Sequence, residues 1–549
     1  MTSVKCRLAC CAANMTVGDF SGNAQKIWHF IEQAQRQQAD VIVFPELALC
    51  GYNPRDLLWT PGFLSHQYDQ LLSLATKVQH ITAIVGFAES YNGLIYNSAA
   101  ILAGGQIFGI ARKKHLTNEG FINETRYFTS GEGAAYFQVG SASFKVLVNE
   151  DMYFEEDGSQ DDTLCICGAS PFYKEHFNNM PSVLQHHAVA RRAAIAYANY
   201  IGGNDESVFS GEARIYDGDG KLVSRSQAFI EDLVIADIQL KIRKSKKTLA
   251  ALKKIPVKEF IKQKITTEED DEHRILRALV LGVKDYAVKC GFKKVILGLS
   301  GGVDSSLTAA IAVLALGAEN VQGLLMPSQF STEHSISDAR FLAETLGIKW
   351  NTISIEPIFK AYIDSMPQEF SEHSLAKQNI QARIRANILM GFSNKYGYMV
   401  LPTSNKSEIF AGYGTLYGDV AGAFMPLKDI AKGLVYRLCY VANELLGVKA
   451  INESILSKEP SAELFYGQKD QDTLPPYPML DNILQSYIEE GQDFTEMARN
   501  GVNISLAKEM VLKSLTYQFK MRQLPLGVAI TPKSFNNNRV MPIAQAFKL

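Results

Sequence analysis

In the first half of the chain, short apolar runs alternate with stretches of helical periodicity. Five of these runs predict strands, at 6–13, 40–44, 82–87, 144–148 and 163–167. Between the first two, the segment 23–38 has apolar side chains on one face at helical spacing and predicts an amphipathic helix. Strands that end in polar residues and are joined by helices predict a layered α/β fold with its site at the strand ends.

A change of composition separates the two halves. Between about 239 and 272 the sequence becomes lysine-rich and then acidic, which is typical of a solvated boundary. Strand and helix patterns restart at Arg274, and the expected strands lie near 294–299, 321–326, 350–355 and 398–401. This alternation predicts a doubly wound parallel sheet. We therefore expect a first domain at 1–245, a linker at 246–272 and a second domain at 273–549.

Length and composition exclude several classes of protein. A chain of 549 residues is too long for one hydrophobic core, and a net charge of −2 gives no indication of a nucleic-acid partner. No apolar run reaches the roughly 18 residues needed to cross a bilayer, and the start lacks the apolar core of a signal peptide. The eight cysteines are scattered without a CxxC pair, as in a reducing compartment. We expect a cytoplasmic protein without a nucleic-acid or membrane partner.

A Ser/Gly-rich turn between a predicted strand and a predicted helix is the most specific feature of the sequence. Such a turn presents backbone amides and a helix N-terminus to an anion. It lacks the Gly-Lys-Ser/Thr of a Walker loop. It resembles instead the SGGxDS loop of the N-type ATP pyrophosphatases, which implies contact with ATP. The loop residues are Gly298, Leu299, Ser300, Gly301, Gly302, Val303, Asp304, Ser305 and Ser306.

Downstream of this loop lie five further motifs, at 378–385, 401–408, 413–419, 458–464 and 468–477. In this order they resemble the synthetase domain of NAD synthetases, and the resemblance covers nearly all of 270–549. It implies that ATP adenylates the nicotinate carboxylate of deamido-NAD with release of pyrophosphate. Ammonia then displaces AMP to form the amide of NAD. The joint occurrence of the motifs, in order, favours deamido-NAD over the acids of related amidating enzymes.

The same resemblance implies roles for individual residues. Asp304 and Glu408 would be ligands of Mg²⁺, and Thr403 would contact ATP. The residues implied around deamido-NAD are Asn379, Arg383, Glu408, Asp419 and Lys520. Each has an ordinary structural alternative: an exposed helical arginine, a turn aspartate, a surface lysine, or a glutamate that complements a helix dipole.

Residues 4–240 resemble the nitrilase-type glutaminase domain that precedes the synthetase in glutamine-dependent NAD synthetases. That family uses a Glu–Lys–Cys triad, which implies Glu46 as the proton shuttle and Lys113 as the oxyanion-stabilising lysine, although Lys114 is adjacent. At the position of the cysteine the sequence has Asn149. A carboxamide cannot act as the nucleophile, and loss of such a group costs on the order of a million-fold in rate.

Other positions of the implied glutamine pocket depart from the family as well. The tyrosine of a Leu-Pro-Asn-Tyr-Gly segment is replaced by Glu119, and the Phe-Asp-Gly-Gly-Ser segment reads differently at 209–213. Ser170 matches the family, but the basic residue expected a few positions later is absent, and His176 lies near its place. Several departures favour natural loss of the glutaminase over one engineered substitution at Asn149. The cysteines near these motifs are expected to be packing residues: Cys50, Cys165 and Cys167.

The resemblance implies a fold and a function for the whole chain. We expect an N-terminal α-β-β-α sandwich followed by a doubly wound parallel sheet of the ATP pyrophosphatase kind. The expected activity is synthesis of NAD from deamido-NAD, ATP and free ammonia, in a homo-oligomer of a family that often forms octamers. The open alternatives are a glutamine-hydrolysing synthetase with an engineered Asn149, a carbon–nitrogen hydrolase, an amidating enzyme for another acid, and a protein without activity in either half.

Overall fold

The computed structural model describes residues 3–154, 161–173, 179–241, 251–252, 261, 263–368, 374–536 and 538–547. The chain divides into two compact units, the first comprising Met1–Asn204 and Val208–Glu269 and the second Asp205–Ser207 and Asp270–Leu549. Much of the predicted linker, namely 246–250, 253–260 and 262, lies outside the described residues, so the three-part division stays a prediction. Among the described helices, none has the length and apolar character needed to span a membrane.

The first unit contains fifteen described strands and three α-helices. The strands are β1 (Ser3–Ala12), β2 (Val41–Val43), β3 (Thr82–Tyr91), β4 (Leu94–Ala103), β5 (Gln106–Arg112), β6 (Ala135–Val139), β7 (Ala142–Val148), β8 (Thr163–Gly168), β9 (Ala194–Asn199), β10 (Ile201–Asn204), β11 (Ser207–Ser210), β12 (Arg214–Tyr216), β13 (Leu222–Arg225), β14 (Asp232–Lys241) and β15 (Ala251–Leu252). The helices are α1 (Phe20–Arg36), α2 (Phe63–Lys77) and α3 (Met180–Arg191).

Two sheets pack face to face in this unit, with helices outside them. The first sheet has the order β14-β1-β2-β3-β4-β5 and the second β13-β12-β9-β8-β7-β6-β15. Helices α1 and α2 cover the first sheet and α3 covers the second, because each helix buries one apolar face against its sheet. The predicted α-β-β-α sandwich is confirmed. Strands β2, β7 and β8 each run parallel to a neighbouring strand, and polar residues follow their carboxyl ends.

The second unit is built on four parallel strands in the order β18-β17-β16-β19. They are β16 (Val295–Gly298), β17 (Val321–Leu325), β18 (Lys349–Thr352) and β19 (Met399–Val400). The helices are α4 (Asp271–Lys289), α5 (Val303–Leu316), α6 (Glu333–Thr345), α7 (Glu356–Asp364), α8 (Leu375–Tyr396), α9 (Lys406–Phe410), α10 (Lys432–Leu446), α11 (Glu453–Ser457), α12 (Tyr477–Leu484), α13 (Phe494–Arg499), α14 (Ile504–Thr516) and α15 (Gln518–Met521).

Strands β16 and β17 are buried on both faces of the sheet. Ile296 and Leu324 pack against the apolar side chains of α8, whereas the helices α4, α5 and α10 pack on one another and on β16 and β17. The central strands β16 and β17 are apolar and mostly buried, as expected for a covered parallel sheet, whereas β18 is mostly exposed and β19 has only two residues. All four are shorter than the sequence predicted. The carboxyl edge of the sheet is where β16 turns into α5, and the candidate site lies there.

Candidate active site

A strand-turn-helix unit forms the predicted phosphate-binding loop. Strand β16 ends at Gly298, and α5 begins at Val303 with Gly302 as its N-cap residue and no side chain capping the helix. The first-turn amides therefore remain available to an anion, which the helix dipole also favours. Gly301 has a φ of +75°, and a Cβ on it would lie 2.3 Å from the carbonyl oxygen of Ser335. Only glycine is accommodated there.

Two carboxylates of the site share one ammonium group. Oδ2 of Asp304 lies 2.5 Å from Nζ of Lys432, and its Oδ1 accepts a 2.9 Å hydrogen bond from Asn405. The same Nζ lies 3.5 Å from Oε1 of Glu408. Burial, together with the charge of Asp304, raises the pKa of Glu408 to about 8. Two hard oxygen donors with a deficit of positive charge suit a divalent cation such as Mg²⁺.

The direction of Glu408 is set by the short helix α9. Its N-cap residue Asn405 accepts a 3.0 Å hydrogen bond from the amide of Glu408, whose carboxylate accepts in return from the amide of Asn405 at 3.3 Å. Lys406, fully buried, holds the helix through Asp429 at 2.8 Å and Glu489 at 2.6 Å. A five-residue helix could not fix a side chain by its own hydrogen bonds, so these buried ion pairs position Glu408.

A cavity of about 760 Å³ opens beside this loop, which is within the usual range for small-molecule sites. Most of the residues predicted from the sequence line it: Gly298, Leu299, Ser300, Gly302, Val303, Asp304, Ser305, Asn379, Thr403, Glu408, Asp419 and Lys520. These residues come from segments that are up to 222 residues apart, counting from residue 298 to residue 520, and they line one cavity.

Three of the predicted residues do not line the cavity. Gly301 packs behind the loop against Ser335, and Ser306 donates its hydroxyl to the carbonyl oxygen of Gly302 at 2.8 Å. Arg383 has an exposed side chain whose Nε donates to the carbonyl oxygen of Leu416 at 3.2 Å. Arg385, two residues later on α8, lines the cavity instead.

The far side of the cavity is organised by a turn at 412–419. Nζ of Lys520 donates to the carbonyl oxygens of residues 412 and 414, at 3.0 Å each, and burial lowers its pKa. The amide of Thr415 donates to Asp419 at 2.8 Å, and its hydroxyl donates to Asn379 at 2.7 Å. One turn thus holds the three side chains that the sequence assigned to a common ligand.

The first unit contains another charge cluster, which is almost completely enclosed. Nζ of Lys113 lies 2.8 Å from Oε1 of Glu46 and 2.8 Å from Oε1 of Glu124, and it also pairs with Glu150. Glu46 is completely buried and Lys113 is 1% exposed, whereas Lys114 is exposed. Lys113 is therefore the lysine that faces Glu46. Burial raises the pKa of Glu46 to about 8, an effect that Lys113 opposes and the other two carboxylates reinforce.

Asn149 lies at the end of β7, next to this cluster. It begins a short 3₁₀ helix at 149–154 with a φ of +36°, a conformation that non-glycine residues rarely adopt. Its Oδ1 accepts from the hydroxyl of Ser170 at 3.2 Å, and its Nδ2 donates to Glu150 at 2.8 Å. A strained turn from a strand into a helix is a place where enzymes present a nucleophile, and here it presents a carboxamide.

The remaining residues of the implied glutamine pocket are distributed around this turn. Ser170 is buried at 5% exposure, and Glu119 is exposed. His176 lies outside the described residues. Cys50, Cys165 and Cys167 are fully buried, and burial raises the pKa of each thiol, that of Cys50 to about 12. Because thiolates carry the reactivity of cysteine, these three are packing residues.

Comparisons with known proteins agree for both units. Residues 275–525 match the family model for NAD synthase, and residues 7–247 match that for carbon-nitrogen hydrolase. A glutamine-dependent NAD(+) synthetase of Aquifex aeolicus is 39% identical over 97% of this chain and 98% of its own length. One from Thermotoga maritima is 37% identical over 99% of both chains. The chain belongs to the glutamine-dependent NAD(+) synthetase family.

A solved structure supports the same assignment. The glutamine-dependent NAD+ synthetase of Acinetobacter baumannii, in complex with ADP, superimposes with a TM-score of 0.74 at 31% identity and covers 98% of each chain. NAD synthetase activity, ATP as co-substrate and a nitrilase-like first domain accompany this membership. The family resemblance inferred from the sequence is confirmed, whereas the replacement of a catalytic cysteine by Asn149 stays a prediction.

Sequence reasoning missed functional residues in both sites. Lys432 was overlooked, although it lies three residues before Val435 on the buried stripe of α10, where an unpaired lysine would be unfavourable. Glu124 was missed because it lies in a three-residue 3₁₀ helix, and Asn97 because it lies in the largely apolar strand β4. Nδ2 of Asn97 donates to Glu46 at 2.6 Å and to Glu124 at 3.0 Å.

Proposed function

We propose that this chain synthesises NAD from deamido-NAD, ATP and free ammonia, and that it does not use glutamine as the nitrogen donor. The observation that carries the proposal is Asn149. Its carboxamide occupies the strained turn beside the Glu46–Lys113 pair, and every cysteine near the cluster is a buried thiol with a raised pKa. Without a nucleophile, glutamine hydrolysis on this domain would fall by about a million-fold.

The proposed synthesis has two steps in the large cavity of the second unit. An oxygen of the nicotinate carboxylate attacks the α-phosphorus of ATP, and the bond from that phosphorus to the pyrophosphate oxygen breaks. The nitrogen of ammonia then attacks the acyl carbon, the bond to AMP breaks, and a proton leaves the nitrogen. The backbone amides at the start of α5 and the hydroxyls of Ser300 and Ser305 would donate hydrogen bonds to pyrophosphate and stabilise its negative charge.

Other lining residues would hold the substrates and the metal. Thr403 would contact ATP, and Asn379, Asp419 and Lys520, already joined through one turn, would contact deamido-NAD. For the arginine of this group we propose Arg385 beside or in place of Arg383, because only Arg385 lines the cavity. Mg²⁺, held by Asp304 and Glu408, would neutralise phosphate charge.

The first domain is proposed to persist as a structural element of a homo-oligomer in the cytoplasm. Its core is complete: the two sheets and their helices bury a continuous set of apolar side chains. Departures at Glu119 and Asn149 lie in the implied pocket, not in that core. Natural loss of the glutaminase, with retention of the fold, accounts for this distribution.

The deciding experiment measures NAD formation from deamido-NAD, ATP and Mg²⁺ with either ammonium chloride or ammonia-free glutamine. We expect turnover with ammonium and none above background with glutamine. Asn149→Ala is the matched control, and it should leave the ammonium rate unchanged because no step depends on the carboxamide. Equal turnover with both nitrogen donors would overturn the proposal, and no turnover with either would reopen the choice of acid substrate.

A further inference from the structure

A second, smaller cavity of about 120 Å³ lies in the second unit next to helix α15. Three cationic side chains line it: Lys428, Arg522 and Arg539. The other lining residues are neutral, so no described carboxylate takes part in its wall. Cavities that hold whole nucleotides or drug-sized molecules are about 300–1,000 Å³. This one therefore has room for a single small group and not for a second nucleotide.

The three cations lack a direct ion-pair partner among the described residues of the unit, although Glu206 and Asp429 lie near Lys428. None of them forms an ion pair with a described carboxylate at 4.0 Å or less. Nζ of Lys428 is satisfied by one contact, a 2.7 Å hydrogen bond to the carbonyl oxygen of Pro525, although an ammonium group has three donors. The neighbouring carboxylate, Asp429, is already bound to Lys406 at 2.8 Å.

Arg539 supplies the most direct indication of a missing ligand. Its Nη1 is buried and has no hydrogen-bond partner. A buried guanidinium nitrogen without an acceptor is unfavourable, since it has lost water and gained nothing in return. Burial lowers the pKa of Arg539, and it lowers that of Lys428 to about 8 in spite of nearby Glu206 and Asp429. In both cases burial disfavours the charged form more than the neighbouring groups favour it, so a bound anion would stabilise both cations.

We propose that this cavity binds a small phosphate-type oxyanion, inorganic phosphate or pyrophosphate, between Lys428, Arg522 and Arg539. Two guanidinium groups and one ammonium provide the forked and single donors that tetrahedral phosphate oxygens accept. The binding proposal does not depend on the nitrogen donor or on the identity of the acid substrate.

The position of the cavity connects it to the main site. Helix α15 contributes Lys520 to the large cavity and both Gln518 and Met521 to the small one. The four-residue helix is too short to be stable alone, and an anion held by Arg522 would support it from the side opposite Lys520. Occupancy of the small cavity would therefore stabilise the wall that carries Lys520.

The test is calorimetric titration of the full chain with inorganic phosphate and, separately, with pyrophosphate. Saturating ATP is present to occupy the loop at the start of α5. We expect one remaining site in the wild-type chain, and at least tenfold weaker binding in an R522Q/R539Q variant. R499Q, an exposed arginine of α13 in the same unit, is the matched control and should bind as wild type. R539K, which keeps the charge, should retain most of the affinity.

Four results would overturn the proposal. Wild type could fail to bind phosphate or pyrophosphate once ATP is saturating, or R522Q/R539Q could bind them as tightly as wild type. R499Q could lose as much affinity as R522Q/R539Q, or wild type could bind acetate or citrate with the same affinity as phosphate. Far-ultraviolet circular dichroism and ammonium-dependent turnover of R522Q/R539Q establish that the variant is folded. Weaker binding by a folded variant is then due to the loss of the two guanidinium groups.

Discussion

The buried cluster of the first unit combines three carboxylates with one ammonium group, and this imbalance makes Glu46→Gln an informative substitution. Burial raises the pKa of Glu46 from 4.5 to about 8. A carboxyl group whose pKa is raised by folding contributes stability that is present below the unfolded pKa and lost as the pH rises through the folded one. At about 1.4 kcal/mol per pH unit, the difference between the two pKa values lowers the free energy of unfolding by about 5 kcal/mol between pH 4.5 and a pH above 8.

Glutamine keeps the shape and the acceptor oxygen of Glu46 but cannot ionise. It can still accept from Asn97 and Lys113, which donate to Oε1 at 2.6 Å and 2.8 Å. We expect Glu46→Gln to stabilise the first unit by under 1 kcal/mol at pH 5, by about 3 kcal/mol at pH 7 and by nearly 5 kcal/mol at pH 9. Lys113→Met should act in the opposite direction, destabilising by about 3–5 kcal/mol, because it leaves the carboxylates without a cation.

Fluorescence can report on the first unit alone. The chain has three tryptophans, of which Trp28 and Trp59 lie in the first unit and Trp350 in the second. In a Trp350→Phe background, urea unfolding followed by tryptophan emission at pH 5, 7 and 9 gives the free energy of unfolding of this unit for each variant. A Glu46→Gln chain that is less stable than its parent at pH 9, or a difference that does not change with pH, would refute the reasoning.

Three further substitutions test the two sites. Gly301→Ala should lower kcat/KM for ATP at least tenfold in steady-state kinetics, because a Cβ at this position would meet the backbone of Ser335. Gly291→Ala is the control, since Gly291 also has a positive φ, +81°, but open space around it. It should lower the free energy of unfolding in urea and leave kcat/KM for ATP unchanged. Asn149→Cys should restore glutamine-dependent NAD formation to at most about one-hundredth of the ammonium-dependent rate, since the other departures in the implied glutamine pocket remain. A glutamine-dependent rate equal to the ammonium-dependent rate would show that only the nucleophile is missing. Lys432→Met should abolish turnover while thermal unfolding stays cooperative, and activity near wild type would show that Asp304 and Glu408 do not need this cation.

Much of the fold and of the main site could be predicted because the signals are local. The strand before Gly298, the turn and the helix after Gly302 are contiguous, so one segment specifies a phosphate-binding loop. Glu408 follows Asn405 at capping-box spacing, which fixes its place at a helix start. The family resemblance was needed to predict that residues distant in sequence, such as Lys520, contribute to the same site.

Residues whose role depends on long-range contacts could not be found in this way. The side chain of Arg383 points away from the cavity and that of Arg385 lines it, because two residues along a helix rotate the side chain by about 200°. Lys432 became part of the site only when α10 packed against α5 and placed its ammonium beside Asp304. Neither outcome is encoded in a local pattern, since both depend on which face of a helix its neighbours cover.

The charge clusters around Lys432 and around Lys113 differ in what can balance them. In the second unit, Asp304 and Glu408 share Lys432 and open onto a cavity, so that a cation or a substrate can complete the charge. In the first unit, the carboxylates around Lys113 are almost completely enclosed, and the raised pKa of Glu46 shows that protonation is the available means of balance. A cluster balanced by a proton can persist without a ligand. This physical difference allows the Glu46–Lys113 pair to remain stable beside the carboxamide of Asn149.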